Sequence, residues 1–221
     1  MFRNLFQIWK GKDFFHHVID EFGVMLDDTE DMFNSVCRKL LFNEEVPNLK
    51  EKIYSIDKQV NNLERDIRKR VVEHLSIQPS ADVPLSLLLM SVVKDAERLG
   101  DYAKNLLEVG QLLDKPIDYD KYSKRFNYLE KEIADLFKRT KKAFIESDEN
   151  LATSSWKVER EIVKKCDEII KNLAKSDLST NQAVCYTLIA RHFKRIAAHL
   201  TNIATSVILP ISDLDYFDEK R

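Results

Sequence analysis

Asp95-Ala96-Glu97-Arg98-Leu99-Gly100-Asp101-Tyr102-Ala103-Lys104-Asn105 lies near the middle of a 221-residue chain. It reads as the interior of a long helix and sets Glu97 and Asp101 four residues apart. Side chains at that spacing sit one above the other on one helix face, close enough to hold a cation or to repel each other. Near the C-terminus the pattern returns as Lys194-Arg195-Ile196-Ala197-Ala198-His199-Leu200-Thr201-Asn202. The offset is a constant 97 residues: Glu97 falls on Lys194, Leu99 on Ile196, Asp101 on Ala198, Tyr102 on His199 and Asn105 on Asn202. The shared Arg-Leu/Ile-Gly/Ala core and the shared Asn point to a duplicated helical unit. Its second copy lacks both carboxylates.

Helical periodicity surrounds both segments. Ile53, Ile56, Val60, Leu63, Ile67, Val71 and His74 recur every three or four residues, which predicts a helix between Pro47 and Pro79. The next helix is predicted over 84–113, with Leu85, Leu88, Val92, Leu99, Leu106 and Leu113 on one stripe and Pro116 as its stop. Further helices are expected over 14–42, 119–147, 150–175 and 181–209. Ser179 or Thr180 would cap the last, and Pro210 would end it. Only 4 Gly and 5 Pro leave little punctuation for a sheet. The expected fold is therefore all-α. Six long helices divide three and three at 114–118, giving units 1–116 and 117–221. Short joins favour antiparallel neighbours, so the expected architecture is a tandem repeat of two up-down three-helix bundles, laid end to end or side by side.

Composition narrows the function classes. The chain carries 35 basic and 37 acidic residues, a formal net charge of −2. That balance lacks the basic excess of a dedicated nucleic-acid binder. Cys37, Cys166 and Cys185 are scattered, odd in number and without a CxxC pair, which fits a reducing compartment. The longest apolar stretch, around 85–93, is too short to span a bilayer. Polar residues interrupt the N-terminal apolar run, so a secretory signal is not expected and a cytoplasmic location is. No nucleophile–base constellation, Gly-rich phosphate loop or cofactor fingerprint is visible, so the reading is non-enzymatic.

With Leu99 at the centre of its helix's buried stripe, Glu97 and Asp101 fall about 160° to either side, facing outward. The preceding helix offers Asp57 and Asn61, again four apart, about 60° and 100° round from Val60. Glu64 lies close by. A flank of one antiparallel helix can approach a flank of the next, so a shared surface site is geometrically open. Periodicity alone leaves unsettled whether the two pairs meet. The plain alternative is a solvated face on which Arg98 and Lys104 make local ion pairs of about a few tenths of a kcal/mol each.

At these residues the chain resembles the PhoU family of phosphate-uptake regulators. Glu97-Arg98-Leu99-Gly100-Asp101-Tyr102-Ala103-Lys104-Asn105 is similar to the family's Glu-Arg-Ile-Gly-Asp segment, followed by a small apolar residue and Asn. Asp57-Lys58-Gln59-Val60-Asn61-Asn62-Leu63-Glu64 resembles its Asp-x-x-Val-Asn-x-Leu-Glu segment. Gln78-Pro79 followed by Asp82 also fits, and Arg195 to Asn202 resembles the second copy. The resemblance spans about residues 14–209. It implies tandem three-helix bundles, and a surface metal held by acidic motifs with four-residue spacing. Carried over residue by residue, the implied ligands are Asp57, Asn61, Glu97 and Asp101. Their ion would be one divalent or trivalent metal (Fe, Zn or Ni) in the first repeat. Lys194 and Ala198 stand where the second copy would have Glu and Asp, so no metal is expected there.

Other features have plainer readings. His192 and His199, seven apart, are read as packed, hydrogen-bonded side chains rather than ligands. Glu-x-x-His occurs nowhere, which argues against a ferritin-like di-iron centre. Phe2, Phe6, Ile8, Trp9, Phe14 and Phe15, with Arg3, Lys10 and Lys12 between them, would pack on the protein itself or dock on a membrane surface or membrane-bound partner. Arg191, Lys194 and Arg195 form a small basic patch, by default a solvated face.

The resemblance implies a cytoplasmic, non-enzymatic adaptor that restrains phosphate uptake and starvation signalling when phosphate is ample. Its implied partners are the ATPase of a phosphate ABC transporter and a membrane sensor kinase, with membrane contact only through them. A homodimer is also open. The alternatives are an accessory subunit of a sodium- or proton-coupled phosphate transporter and a metal-binding helical-bundle protein.

Overall fold

The computed structural model describes residues 13–77, 82–210 and 213. Among them are seven α-helices and no strand: α1 (Asp13–Phe42), α2 (Leu49–Ile77), α3 (Val83–Leu112), α4 (Tyr119–Phe126), α5 (Leu129–Glu146), α6 (Glu149–Leu173) and α7 (Thr180–Thr205). The expected all-α architecture is what forms. Residues 1–12 and Pro79 lie outside the described residues, and with them most of the aromatic N-terminal segment. Phe15 is fully buried and meets the His74 ring edge-on at 5.1 Å.

The helix predicted over 119–147 is two helices. Its chain breaks at Asn127 and Tyr128, whose φ values of 49° and 57° are left-handed. Asparagine tolerates that conformation better than most residues. The Asn127 N–H returns to the Ser123 carbonyl at 2.7 Å and closes α4, as a left-handed C-cap does. Tyr122, Phe126, Leu129 and Ile133 are all fully buried and keep helical spacing straight through the break. The apolar pattern is therefore continuous where the backbone is not.

The last helix also stops earlier than its pattern suggests. α7 ends at Thr205, and turns carry the chain on to Pro210. Thr205 Oγ1 donates to the Thr201 carbonyl at 2.8 Å and Ser206 Oγ to that of Ile203 at 2.7 Å. Hydroxyls that take up main-chain carbonyls in this way compete with the helical ladder. At the other end Ser179 is the N-cap, its hydroxyl accepting from the Gln182 N–H. Asp118 and Asp148 cap α4 and α6 in the same manner.

The two halves pack side by side around one continuous core. α3 touches α1, α2 and α7, and α1 also meets α5. The Phe33 ring on α1 lies 5.4 Å from Phe137 of α5 and 5.8 Å from Phe193 of α7. Phe22 meets Phe144 at 4.7 Å. The duplication extends beyond the segment that first shows it. Buried residues of α2 and α6 correspond at one constant offset: Ile53 with Ser155, Val60 with Ile162, Ile67 with Ile169, Val71 with Leu173. All three cysteines are free and buried. Burial pushes the Cys166 thiol up to about 12 and that of Cys37 higher still. No helix among the described residues is long and apolar enough to cross a membrane.

Candidate functional site

The four residues singled out in the sequence lie where α2 runs beside α3. The helical wheel places Glu97 and Asp101 opposite the buried stripe of α3. Because α3 has three neighbours rather than one, its far side is partly covered too. The Glu97 side chain is only 12 % exposed and that of Asp101 28 %, so the expectation that this pair faces outward into solvent is corrected.

Asp57 and Asp101 do converge, and they converge on a lysine. Lys104 Nζ is 2.8 Å from Asp57 Oδ1 and 3.0 Å from Asp101 Oδ1, joining α2 to α3. The second oxygens are engaged as well. Arg98 reaches Asp101 Oδ2 at 3.0 Å, and the Asn61 amide donates to Asp57 Oδ2 at 3.3 Å. Glu97 stands apart, held by Lys94 at 2.7 Å with Arg98 at 3.8 Å. Burial works against the charge on Lys104, but hydrogen bonds to both aspartates outweigh it and hold its ammonium above the usual lysine range. As arranged, this donor set is closed, and a metal ion between Asp57 and Asp101 would have to displace the ammonium. Among the described residues, no three His, Cys, Asp or Glu side chains gather closely enough to share a metal ion.

In the second repeat Lys194, the residue at the Glu97 position, crosses from α7 to α6. Its Nζ bonds both oxygens of Asp167, at 2.7 and 2.9 Å. The expected basic patch is thus partly neutralised, and Arg195 donates to the Tyr102 hydroxyl at 3.3 Å.

The most organised polar cluster is one the sequence reading passed over. Asp95 is buried on α3, and its Oδ1 accepts from His199 Nδ1 at 2.7 Å and from the Asn202 amide at 3.3 Å. The Tyr102 ring lies between two histidines, 5.6 Å from His199 and 5.8 Å from His192. Burial, helped by neighbouring Arg191, lowers the pKa of His192. The reading as packed and hydrogen-bonded holds for His199, while His192 packs against the Tyr102 ring. A signal for Asp95 was present: it shares a face with Leu99 and Tyr102, four and seven residues on, and the paired histidines on α7 repeat the seven-residue spacing.

A PhoU domain model matches residues 23–109 and again 128–207. Those two spans cover the first and second helical repeats and most of the chain. The chain is 28 % identical over 175 residues to a phosphate-specific transport system accessory protein PhoU homologue of Thermotoga maritima, covering 72 % of each. It is 23 % identical over 217 residues to the homologue of Pseudomonas aeruginosa, covering 90 % of this chain and 89 % of that one. Its fold matches the crystal structure of PhoU from Pseudomonas aeruginosa with a TM-score of 0.75 at 22 % identity, over 88 % of this chain and 95 % of that one. The phosphate transport system regulatory protein PhoU from Streptococcus pneumoniae matches with a TM-score of 0.72 at 17 % identity, over 89 % and 95 %. With the family pattern repeated in both halves and the whole double bundle superimposing on PhoU folds, the chain belongs to the PhoU family.

Proposed function

We propose that this chain is a cytoplasmic regulatory adaptor of phosphate transport. It restrains phosphate uptake and starvation signalling when phosphate is ample, by docking on the ATPase of a phosphate ABC transporter and on a membrane sensor kinase. The observation that carries this reading is the family pattern in both repeats of one double bundle. The names of the relatives, accessory proteins of a phosphate-specific transport system, point the same way.

Co-isolation tests the proposal. An affinity-tagged chain is recovered from phosphate-replete cells under mild cross-linking, and its companions are identified by mass spectrometry. Recovery of the transporter ATPase and the kinase is expected. Recovery of a sodium- or proton-coupled phosphate carrier in their place would move the assignment to an accessory subunit of that carrier.

A further inference from the structure

We propose that in this chain the ammonium of Lys104 stands where the family resemblance implies a metal ion, so that the α2–α3 face is organised without metal. Three observations carry the inference. The first is position. Lys104 Nζ touches Asp57 of one helix and Asp101 of the next, the two implied ligands that actually converge. Its distances of 2.8 and 3.0 Å suit ammonium–carboxylate hydrogen bonds. Oxygen ligands sit at about 2.0–2.2 Å from zinc and about 2.3–2.6 Å from calcium.

The second is charge. Asp57, Glu97 and Asp101 supply three carboxylates, and Lys94, Arg98 and Lys104 supply three cations against them. A metal ion arriving here meets a neutral set rather than a trianionic one. Its fourth implied ligand, Asn61, is a neutral amide that already donates to Asp57. The third is analogy. In the second repeat Lys194 of α7 closes on Asp167 of α6 through both carboxylate oxygens. These positions correspond to Glu97 and Arg65 rather than to Lys104 and Asp57, so the same kind of lysine–aspartate link between the two helices is made from a different place on each. An ammonium fixed to the chain cannot be lost to a chelator or exchanged for another ion, so the shape of this face is independent of metal supply. The inference does not depend on the transport role, because the purified chain reports on it directly.

The test is metal uptake by the full chain, purified and stripped with chelator, titrated separately with Zn(II), Fe(III) and Ni(II). Bound metal is measured after desalting, and melting temperature is followed with each ion. The wild-type chain is expected to retain no stoichiometric metal and to melt at the same temperature with or without it. Lys104→Ala is expected to melt lower in chelator, to take up about one ion per chain, and to regain melting temperature as metal is added, because binding to the folded state alone stabilises it. Adding Asp101→Asn to that variant is expected to abolish the uptake. Lys104→Gln, which keeps the side-chain length, serves if the alanine variant does not fold. One ion per wild-type chain, lost on Asp101→Asn, would overturn the proposal. So would the absence of uptake in every Lys104 variant, since the carboxylates would then have no metal affinity for the ammonium to replace.

Discussion

His199 Nδ1 lies 2.7 Å from Asp95 Oδ1 across the seam between the two repeats. The 97-residue offset that relates the halves carries Asp95 onto His192 and Tyr102 onto His199. The Asp95–His199 contact is therefore the counterpart of the Tyr102–His192 ring contact at 5.8 Å. One side of an approximate twofold seam is a carboxylate–imidazole hydrogen bond, and the other is an aromatic contact. Duplicated helices have kept the place of the contact while its chemistry diverged.

Removing the Asp95 carboxylate leaves the His199 ring and the Asn202 amide without their shared acceptor. Stranding a buried polar partner costs about 1–3 kcal/mol, and these part-buried groups fall at the low end of that range. Asp95→Ala is expected to lose that much in urea unfolding, and Asp95→Asn less. Combined with His199→Ala in a double-mutant cycle, the pair should show coupling of about 0.5–3 kcal/mol. Additive losses would mean that the two side chains do not support each other.

Phe33 binds the halves together through Phe137 and Phe193. Phe33→Ala should destabilise by about 3–5 kcal/mol, as large-to-small changes of a buried aromatic do. A single cooperative transition, shifted to lower denaturant, is expected because the core is continuous. Two separate transitions would show that each repeat folds alone.

Gly100 is a helix-interior glycine that the packing does not require. A Cβ built there meets Met32 Sδ and Thr29 Cγ2 at 3.7 Å and Asp57 Oδ1 at 3.8 Å, all ordinary contacts. Gly100→Ala is therefore expected to stabilise by about 0.4–1 kcal/mol through lost unfolded-state entropy and better helix propensity. In a chain of this size that raises Tm by about 1–4 °C. A fall in Tm would show that α1 and α2 cannot accommodate the methyl group.

The pH dependence of stability carries the signature of His192. Burial, reinforced by Arg191, depresses its pKa in the folded state. As pH falls through about 6.5 the unfolded chain takes up this proton while the folded chain does not. The unfolded state then binds more protons, so stability falls with pH across that window. His192→Gln is expected to lose less Tm than wild type between about pH 7 and pH 5.5. An equal loss in both would place the acid sensitivity elsewhere.

Most of the fold was legible because long amphipathic helices advertise themselves. The limits of α1, α2 and α3 follow the apolar stripe and the prolines to within a residue or two. The break at Asn127 was hidden because Tyr122, Phe126, Leu129 and Ile133 keep helical spacing across it. The candidate site was half legible. Four-residue spacing marked Glu97 with Asp101 and Asp57 with Asn61 as pairs, and the family resemblance joined them into one implied set. Neither could show that Lys104, three residues after Asp101, reaches both aspartates, since that depends on how closely α2 approaches α3. Asp95 escaped notice for a related reason: a carboxylate on an apolar stripe acquires meaning only when its partner on α7 is known.

Phosphate uptake and a starvation-promoter reporter, followed in a strain lacking this protein and grown in ample phosphate, test the regulatory role most directly. Excess uptake or a derepressed reporter is expected, with both restored when the protein is supplied again. Uptake and reporter levels that match the parent strain would contradict it.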